Sequence, residues 1–180
     1  FLSFLFLSLA IVFAYLIFFV PKFDYIKNRL LSFFDGEAGT HNFQSDKAID
    51  SIISGGFFGK GIGEGTLKNK VPEAHTDYII SVISEEFGVI AIILILFLFL
   101  VLIYSVFKKI NFESEEKIKL ILVGSISLIL MQAIIHIGVN IRLFPTTGMT
   151  LPFISYGGSS IISISILSGI ILNLTKRKIH

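Results

Sequence analysis

Cysteine and tryptophan are absent from this 180-residue chain, and charged residues make up only 16% of it. The lack of cysteine excludes a disulfide framework, a thiol nucleophile and a cysteine-ligated metal site. A soluble domain has about 25% charged residues, whereas this chain is 53% hydrophobic with a mean hydropathy of +0.83. These values exclude a soluble enzyme and predict a protein embedded in lipid. The net charge of +2 is too small to indicate a nucleic-acid-binding surface.

Charge is missing entirely from four long stretches, which are residues 1–21, 87–107, 120–141 and 143–175. A helix needs ~20 apolar residues to cross ~30 Å of hydrocarbon, and the first three stretches match that length. The fourth is too long for one span and contains Pro145, Pro152 and Gly157-Gly158, so we divide it into an irregular segment and a helix. The sequence predicts an all-α polytopic membrane protein with four spans at about 1–21, 78–107, 118–141 and 159–175, an outer loop at 22–77 and an outer segment at 142–158.

The start of the chain lies inside an apolar run, without a Met, a basic region or a small-residue cleavage site. We therefore expect residues 1–180 to be the C-terminal part of one larger integral-membrane domain rather than to begin with a signal peptide.

Lysine and arginine predict the orientation of the spans. The loop between the second and third spans carries Lys108, Lys109, Lys117 and Lys119, and Lys176-Arg177-Lys178 follows the last span. These segments are predicted to be cytoplasmic, which places the long loop and the segment 142–158 on the outer face.

The long loop contains a glycine series, Gly55-Gly56, Gly59, Gly61, Gly63 and Gly65. Glycines at this density let backbone N–H groups approach a phosphate or pyrophosphate. The spacing matches neither a P-loop nor a dinucleotide-binding fingerprint, and by itself it favours a flexible surface loop.

Asp77 is the most informative acidic residue. Thr76 is predicted to cap a helix over Asp77–Phe107, which at 1.5 Å per residue is about 46 Å long and must extend beyond the hydrocarbon core. Asp77 would share one small, polar face with Ser81, Ser84 and Gly88, which suits a water-filled cavity. An ionised Asp77 at the positive helix end can act as a base, and an ordinary N-terminal helix acid is an equally good interpretation.

Other polar residues have structural interpretations. Glu85-Glu86 are expected to pair with basic residues of the long loop, because acids near the membrane boundary need partners. Gln132, His136 and Asn140 form a polar stripe that is more typical of interhelical hydrogen bonding than of catalysis. No metal motif is present in the sequence. Segment 142–158 is expected to be close to re-entrant, with Ser159 or Ser160 capping the last helix.

Two blocks together resemble the FtsW/RodA/SpoVE (SEDS) family of bacterial cell-wall synthesis. The first runs from Gly59-Lys60-Gly61-Ile62-Gly63 through Val71-Pro72-Glu73-Ala74-His75-Thr76-Asp77 to Glu85-Glu86-Phe87-Gly88, and the second from Pro145-Thr146-Thr147-Gly148 to Ser160. The likeness spans nearly the whole chain and is greater to the division members than to the elongation members. His136 and Arg142 depart from the usual family pattern, which puts fine geometry or partner contacts near the outer face in doubt.

The resemblance implies the seventh to tenth of ten spans and a peptidoglycan glycosyltransferase of the bacterial inner membrane. Such an enzyme polymerises lipid II, releases undecaprenyl pyrophosphate on the outer face and works at the division septum with a class B penicillin-binding transpeptidase and other divisome proteins. Asp77 matches the acidic residue regarded as catalytic. The remaining motif residues are predicted to bind substrate: Lys60, Gly61, Gly63, Glu73, His75, Thr76, Pro145, Thr146, Gly148, Ser155, Gly157, Gly158, Ser159 and Ser160.

No cofactor is implied. The negative charge that grows on the pyrophosphate needs donors or cations, and the candidates are a divalent cation, the loop amides and Lys60, Lys68, Lys70 and Arg142. Because a chain lacking the first six spans has only half of the cavity, it is expected to be inactive alone. Two alternatives stay open: a lipid II flippase, in which Asp77 only binds, and a non-catalytic divisome scaffold.

Overall fold

The computed structural model describes residues 2–35, 40–71 and 74–176, and every regular element in these residues is helical. The seven α-helices, in chain order, are α1 (Leu2–Phe19), α2 (Asp24–Asp35), α3 (Thr40–Gly55), α4 (Leu67–Lys70), α5 (Ile79–Phe112), α6 (Glu116–Asn140) and α7 (Gly158–Thr175). A short 3₁₀ turn, Pro21–Phe23, joins α1 to α2. The chain divides into two units, residues 1–44 and 45–180.

Three helices, α5, α6 and α7, are long and apolar enough to cross a membrane. They coincide with the second, third and fourth predicted spans. The first predicted span corresponds to α1, which is followed by a bend of 88° into Pro21–Leu31. The structure therefore supports an all-α polytopic fold with three spans, and with a fourth only if this bent pair crosses as one.

The three spanning helices pack through an aliphatic core near the end of α5. Val106, Leu122, Ile129, Ile164 and Ile171 are buried there. Side chains that face away from this core, such as Leu98 and Ile134, stay exposed and apolar, as expected for surfaces that contact lipid rather than water.

A second core holds the polar loop onto the beginning of α5. Ala48 of α3, Leu67 of α4, Tyr78 and Val139 of α6 are buried together. Burial of Tyr78 matters for the site because it is the residue after Asp77, and its hydroxyl lies 3.3 Å from Ser45 Oγ.

The helix α5 is broken at Gly88, whose backbone (φ 79°, ψ −178°) is not helical. The loop after α3 fills the break: Lys60 and Gly61 donate their N–H groups to the carbonyls of Glu85 and Glu86 at 2.8 and 3.1 Å. In return, Val89 and Ile90 donate to the carbonyls of Gly56 and Phe57 at 2.9 and 3.4 Å. In an unbroken helix, the N–H groups of Val89 and Ile90 would instead pair with the carbonyls of Glu85 and Glu86.

Close approach of the two backbones explains the glycines on both sides. A Cβ on Gly59 would lie 2.2 Å from Glu86 O, and one on Gly88 would lie 2.2 Å from Phe57 O. Glycine is therefore required for packing the loop against α5.

Candidate functional site

Asp77 lies in the turns just before α5, and the backbone around it is held by hydrogen bonds from two other segments. The carbonyls of His75, Thr76 and Asp77 accept, in order, from the Tyr156 N–H (3.2 Å), the Ser155 hydroxyl (2.8 Å) and the Asn140 side-chain amide (2.9 Å). Segment 142–157 therefore fixes this backbone on one side, and the end of α6 fixes it on the other.

Asn140 uses its whole side chain in this arrangement. Its Nδ2 also donates to His136 O at 2.9 Å, while its Oδ1 accepts from Ser81 Oγ at 2.7 Å and from the Ser81 N–H at 3.3 Å. The Ser81 amide lies in the first turn of α5 and also donates to Tyr78 O at 3.0 Å, so Tyr78 O and Asn140 Oδ1 share this donor. Asn140 thus gives the first turn of α5 an additional acceptor from a neighbouring helix.

The structure contradicts the prediction that Thr76 caps a helix beginning at Asp77. The helix starts at Ile79, Tyr78 occupies the cap position, and no side-chain cap is made from there. Residues 75–77 are kept in turns because their carbonyls bond outward to Ser155, Tyr156 and Asn140 rather than along a helix.

The predicted cap of the last helix is also wrong. Gly157, in extended backbone, precedes the first residue of α7 and makes no side-chain cap. The Ser160 hydroxyl instead accepts a hydrogen bond from Thr150 Oγ1 at 2.7 Å, so its position is set by the outer segment.

The polar stripe on α6 organises segment 142–157. Nδ1–H of the buried His136 donates to Met149 O at 2.7 Å. Gln132 Nε2 lies within 3.0 Å of Thr150 O, Thr150 Oγ1 and Ser160 Oγ. With Asn140, these residues hold the non-helical segment and the Asp77 turn to one face of α6, which is the hydrogen-bonding role that the sequence predicted.

Gly148, in the outer segment, lies close to the Asp77 carboxylate. A Cβ built on Gly148 would lie 3.6 Å from Asp77 Oδ2, and Gly148 has a positive φ of 69°. Asp77 is half-buried, and Gly148 and His75 are exposed. Asp77 is thus partly exposed, on a turn held by other segments and beside an exposed glycine.

The small face of α5 does not line an open cavity in this chain. Ser81, Ser84 and Gly88 are all buried. Ser81 contacts Asn140, and a Cβ on Gly55 would lie 2.0 Å from Ser84 O. Small residues at these positions let α6 and the glycine loop approach α5 closely. Close packing therefore explains why this face is small, and the interpretation as a cavity lining missed that explanation.

Glu85 forms an internal charge cluster. Its side chain is 1% exposed and accepts from Lys60 Nζ (2.9 Å), Thr66 Oγ1 (3.1 Å) and the Leu67 N–H (3.0 Å). The expected pairing of this acid with a basic residue of the long loop is confirmed. Because Lys60 is ion-paired and the Lys60 and Gly61 amides bond to α5, these groups have structural partners, and their contact with substrate stays a prediction.

The other predicted residues differ in burial. Ser155 is buried and donates its hydroxyl hydrogen to Thr76, so the structure gives it a role in holding the turn. Glu73 lies outside the described residues. The remaining residues are exposed or half-buried on the loop, on the outer segment or in the first turn of α7: Gly63, Thr76, Pro145, Thr146, Gly157, Gly158, Ser159 and Ser160.

Two further observations concern charge. Arg142 bonds through Nη1 to Asp46 Oδ1 and so ties the end of α6 to α3.

Within residues 2–35, 40–71 and 74–176, no three His, Cys, Asp or Glu residues come together as metal ligands.

Comparisons with known proteins agree with the fold. The sequence model of the family described as "Cell cycle protein" (FtsW/RodA/SpoVE) matches residues 1–180. A probable peptidoglycan glycosyltransferase FtsW from Enterococcus hirae is 41% identical over 138 residues, which cover 76% of this chain and 35% of the relative. One from Caulobacter vibrioides is 40% identical over 160 residues, which cover 87% and 40%.

A solved structure has a similar fold. A chain from a study entitled "Structural coordination of polymerization and crosslinking by a peptidoglycan synthase complex" superposes with a TM-score of 0.73 at 25% identity, covering 97% of this chain and 47% of that one. The chain spans about two fifths of the length of the curated relatives named above.

Proposed function

Because the chain belongs to the FtsW/RodA/SpoVE family of cell cycle proteins, we propose that it forms the C-terminal part of an inverting peptidoglycan glycosyltransferase. The proposed reaction polymerises lipid II into glycan strands and releases undecaprenyl pyrophosphate. The observation that supports this proposal is the position of Asp77, a half-buried carboxylate beside Gly148 on a turn held by two other segments.

Asp77 is proposed to be the general base. When the C4 hydroxyl of one sugar attacks the anomeric carbon of another, the hydroxyl must lose its proton, and a carboxylate within hydrogen-bond reach can accept it. The C–O bond to the pyrophosphate breaks as the new glycosidic bond forms, so direct displacement inverts the anomeric carbon. Pyrophosphate is already a good leaving group, so the second carboxylic acid of typical glycosidases is not needed.

Stabilisation of the departing pyrophosphate requires donors or cations. Lys60 and Arg142 each have an acidic partner in the fold, whereas Lys70 is exposed near the same loop. We propose that Lys70, the exposed amides of the outer segment and a divalent cation are the first candidates for this task, ahead of the two ion-paired residues.

The relatives' names and the structural neighbour's title indicate where such an enzyme would act. We propose that the full protein is a multi-pass protein of the bacterial inner membrane with its C-terminus in the cytoplasm and Asp77 on the outer face. A class B penicillin-binding transpeptidase and other divisome proteins at the septum are the proposed partners.

The test uses the full-length protein co-purified with its transpeptidase and supplied with labelled lipid II. The transpeptidase is blocked with a β-lactam, and glycan chains are followed on a gel. We expect chains from the wild type and none from Asp77→Asn, which keeps the shape of the side chain but cannot take a proton.

Asp50→Asn is the matched control. Asp50 is an exposed acid of α3 that pairs with Lys47, so the same chemical change there should leave the chain yield unchanged. Full polymerisation by Asp77→Asn would contradict the assignment of the base. Lipid II transport without chains from the wild type, with a control polymerase active, would support the flippase instead. Divisome function that survives Asp77→Asn would support the scaffold.

A further inference from the structure

Asn140 touches the peptide of Asp77 but is in no position to touch a substrate. Its side chain is completely buried, and both donor hydrogens and both acceptor directions are used inside the protein. Any influence it has on a reaction at the surface must therefore pass through the residues that it holds.

The direction of the Asn140 amide is fixed. The Ser81 backbone N–H can only donate, so the Asn140 atom that it contacts must be the oxygen, Oδ1. The Ser81 hydroxyl contacts the same oxygen and therefore donates to it as well. The oxygen therefore faces Ser81, and the NH₂ group faces the carbonyls of Asp77 and His136. A reversed amide would place two donors against the Ser81 amide and oxygen against two carbonyl oxygens.

The same contacts define where Asp77 sits relative to α5. One side chain binds both the carbonyl of Asp77 and the first-turn amide of Ser81, so the turn and the helix cannot shift independently along α6. Ser155 and Tyr156 hold the two preceding carbonyls from the opposite side. These contacts together set the position of the Asp77 backbone, from which its carboxylate extends.

We propose that Asn140 is a positioning residue for the general base, which sets the distance between the Asp77 carboxylate and the attacking hydroxyl. This inference rests on the proposed function, since it takes Asp77 as the base. Misplacement of a catalytic group by about 1 Å can lower the rate about 100-fold. Loss of the Asn140 amide should therefore change the rate of reaction much more than the binding of substrate.

The experiment compares Asn140→Leu and Asn140→Ser with the wild type in the full-length protein bound to its transpeptidase. Leucine fills a similar volume without a hydrogen-bonding group. Serine keeps a polar group, but its short side chain does not reach the Asp77 carbonyl. Using both variants guards against a folding failure of either one. The readouts are kcat and KM for lipid II, and hydrogen exchange of the amides from Asp77 to Val82.

Ile129→Ala is the stability-matched control. Ile129 lies on α6 and is fully buried in the aliphatic core of the spans, so truncation there destabilises the same helix without contact to Asp77. We expect this variant to keep kcat per folded molecule and to leave exchange over 77–82 unchanged.

For Asn140→Leu we expect kcat to fall by about 100-fold with KM within about twofold of wild type, together with faster exchange over 77–82. Asn140→Ser should show the same pattern with a smaller loss. Wild-type kcat in both variants, or a fall no larger than in Ile129→Ala, would overturn the positioning role. Asp77→Asn, measured in the same series, separates the two hypotheses: if it turns over like the wild type, the proposed base is wrong, whereas its inactivity beside an active Asn140→Leu rejects this inference alone.

Discussion

Two carboxylates near the start of α5, Glu85 and Asp77, have opposite environments. Glu85 is 1% exposed and accepts from an ammonium, a hydroxyl and a backbone amide. Asp77 is half-buried, and its backbone carbonyl accepts from the Asn140 side chain. Buried hydrogen bonds from other segments thus reach the side chain of the first acid and the main chain of the second.

The difference distinguishes a structural acid from the proposed base. A buried carboxylate needs partners to offset the loss of water, and once surrounded it cannot reach a substrate. A base needs the reverse: a firmly placed backbone and a carboxylate at a surface. Three changes, taken from the largest expected loss of stability to the smallest, test whether this distinction holds.

Gly88→Ala should cause the largest loss of stability, because it disrupts the contact between the loop and α5 beside Glu85. A Cβ at this position would lie 2.2 Å from Phe57 O, and the backbone conformation is one that essentially only glycine adopts. We expect a loss of about 3 kcal/mol in unfolding free energy from clash and strain together, measured as a lowered thermal midpoint of the full-length protein in detergent.

Gly124→Ala provides the control for that change. Gly124 lies on α6 with no atom within 4 Å of an added Cβ, so alanine there should leave the midpoint unchanged or raise it through better helix propensity. An equal drop in both variants would mean that the close contact between the loop and α5 is not what makes Gly88 necessary.

Glu85→Gln should cost about 2 kcal/mol, because the amide keeps the shape but weakens charge-assisted hydrogen bonds to Lys60 and Leu67. Polymerisation per folded molecule should stay at the wild-type level. Asp50→Asn, at an exposed ion pair, should hardly affect stability. A Glu85→Gln protein that is fully stable yet inactive would reverse the assignment of the two acids.

Gly148→Ala should have the smallest effect on stability, about 1 kcal/mol from its positive φ, and a clear effect on catalysis. The new methyl group would lie 3.6 Å from Asp77 Oδ2, where we expect it to hinder a sugar hydroxyl that approaches the carboxylate. We expect a several-fold lower kcat/KM for lipid II. Gly169→Ala, at an open position on α7, serves for comparison, and equal rates in the two variants would show that this side of the carboxylate is not the approach.

Three of the four predicted spans match helices long and apolar enough to cross a membrane, and they could be predicted because hydrocarbon excludes charge over lengths that are easily counted. Asp77 could be singled out by its position at the start of such a span and by the motif around it. The polar stripe of Gln132, His136 and Asn140 was also visible as a helical repeat, and its hydrogen-bonding role was predicted correctly.

The sequence could not show which groups the stripe would meet. Thr76 satisfied the local rule for a helix cap, yet the first-turn amide of Ser81 bonds instead to Tyr78 O and to Asn140, 59 residues further along the chain. In the same way, Gly88 looks tolerable inside a helix until the loop glycines thirty residues earlier are brought against it. Local patterns report local preferences, and both errors came from hydrogen bonds between segments distant in sequence.

The exchange of hydrogen bonds at Gly88 also bears on how α5 meets the bilayer. An unbroken helix would pair Glu85 and Glu86 with Val89 and Ile90, whereas here these backbone groups pair with loop residues 56–61. Non-helical backbone at membrane depth is tolerated only against protein or a water-filled cavity, so the docked loop is what permits a break at this position. Residues 89–112, about 36 Å of helix, suffice to cross the bilayer without the part of α5 that precedes the break.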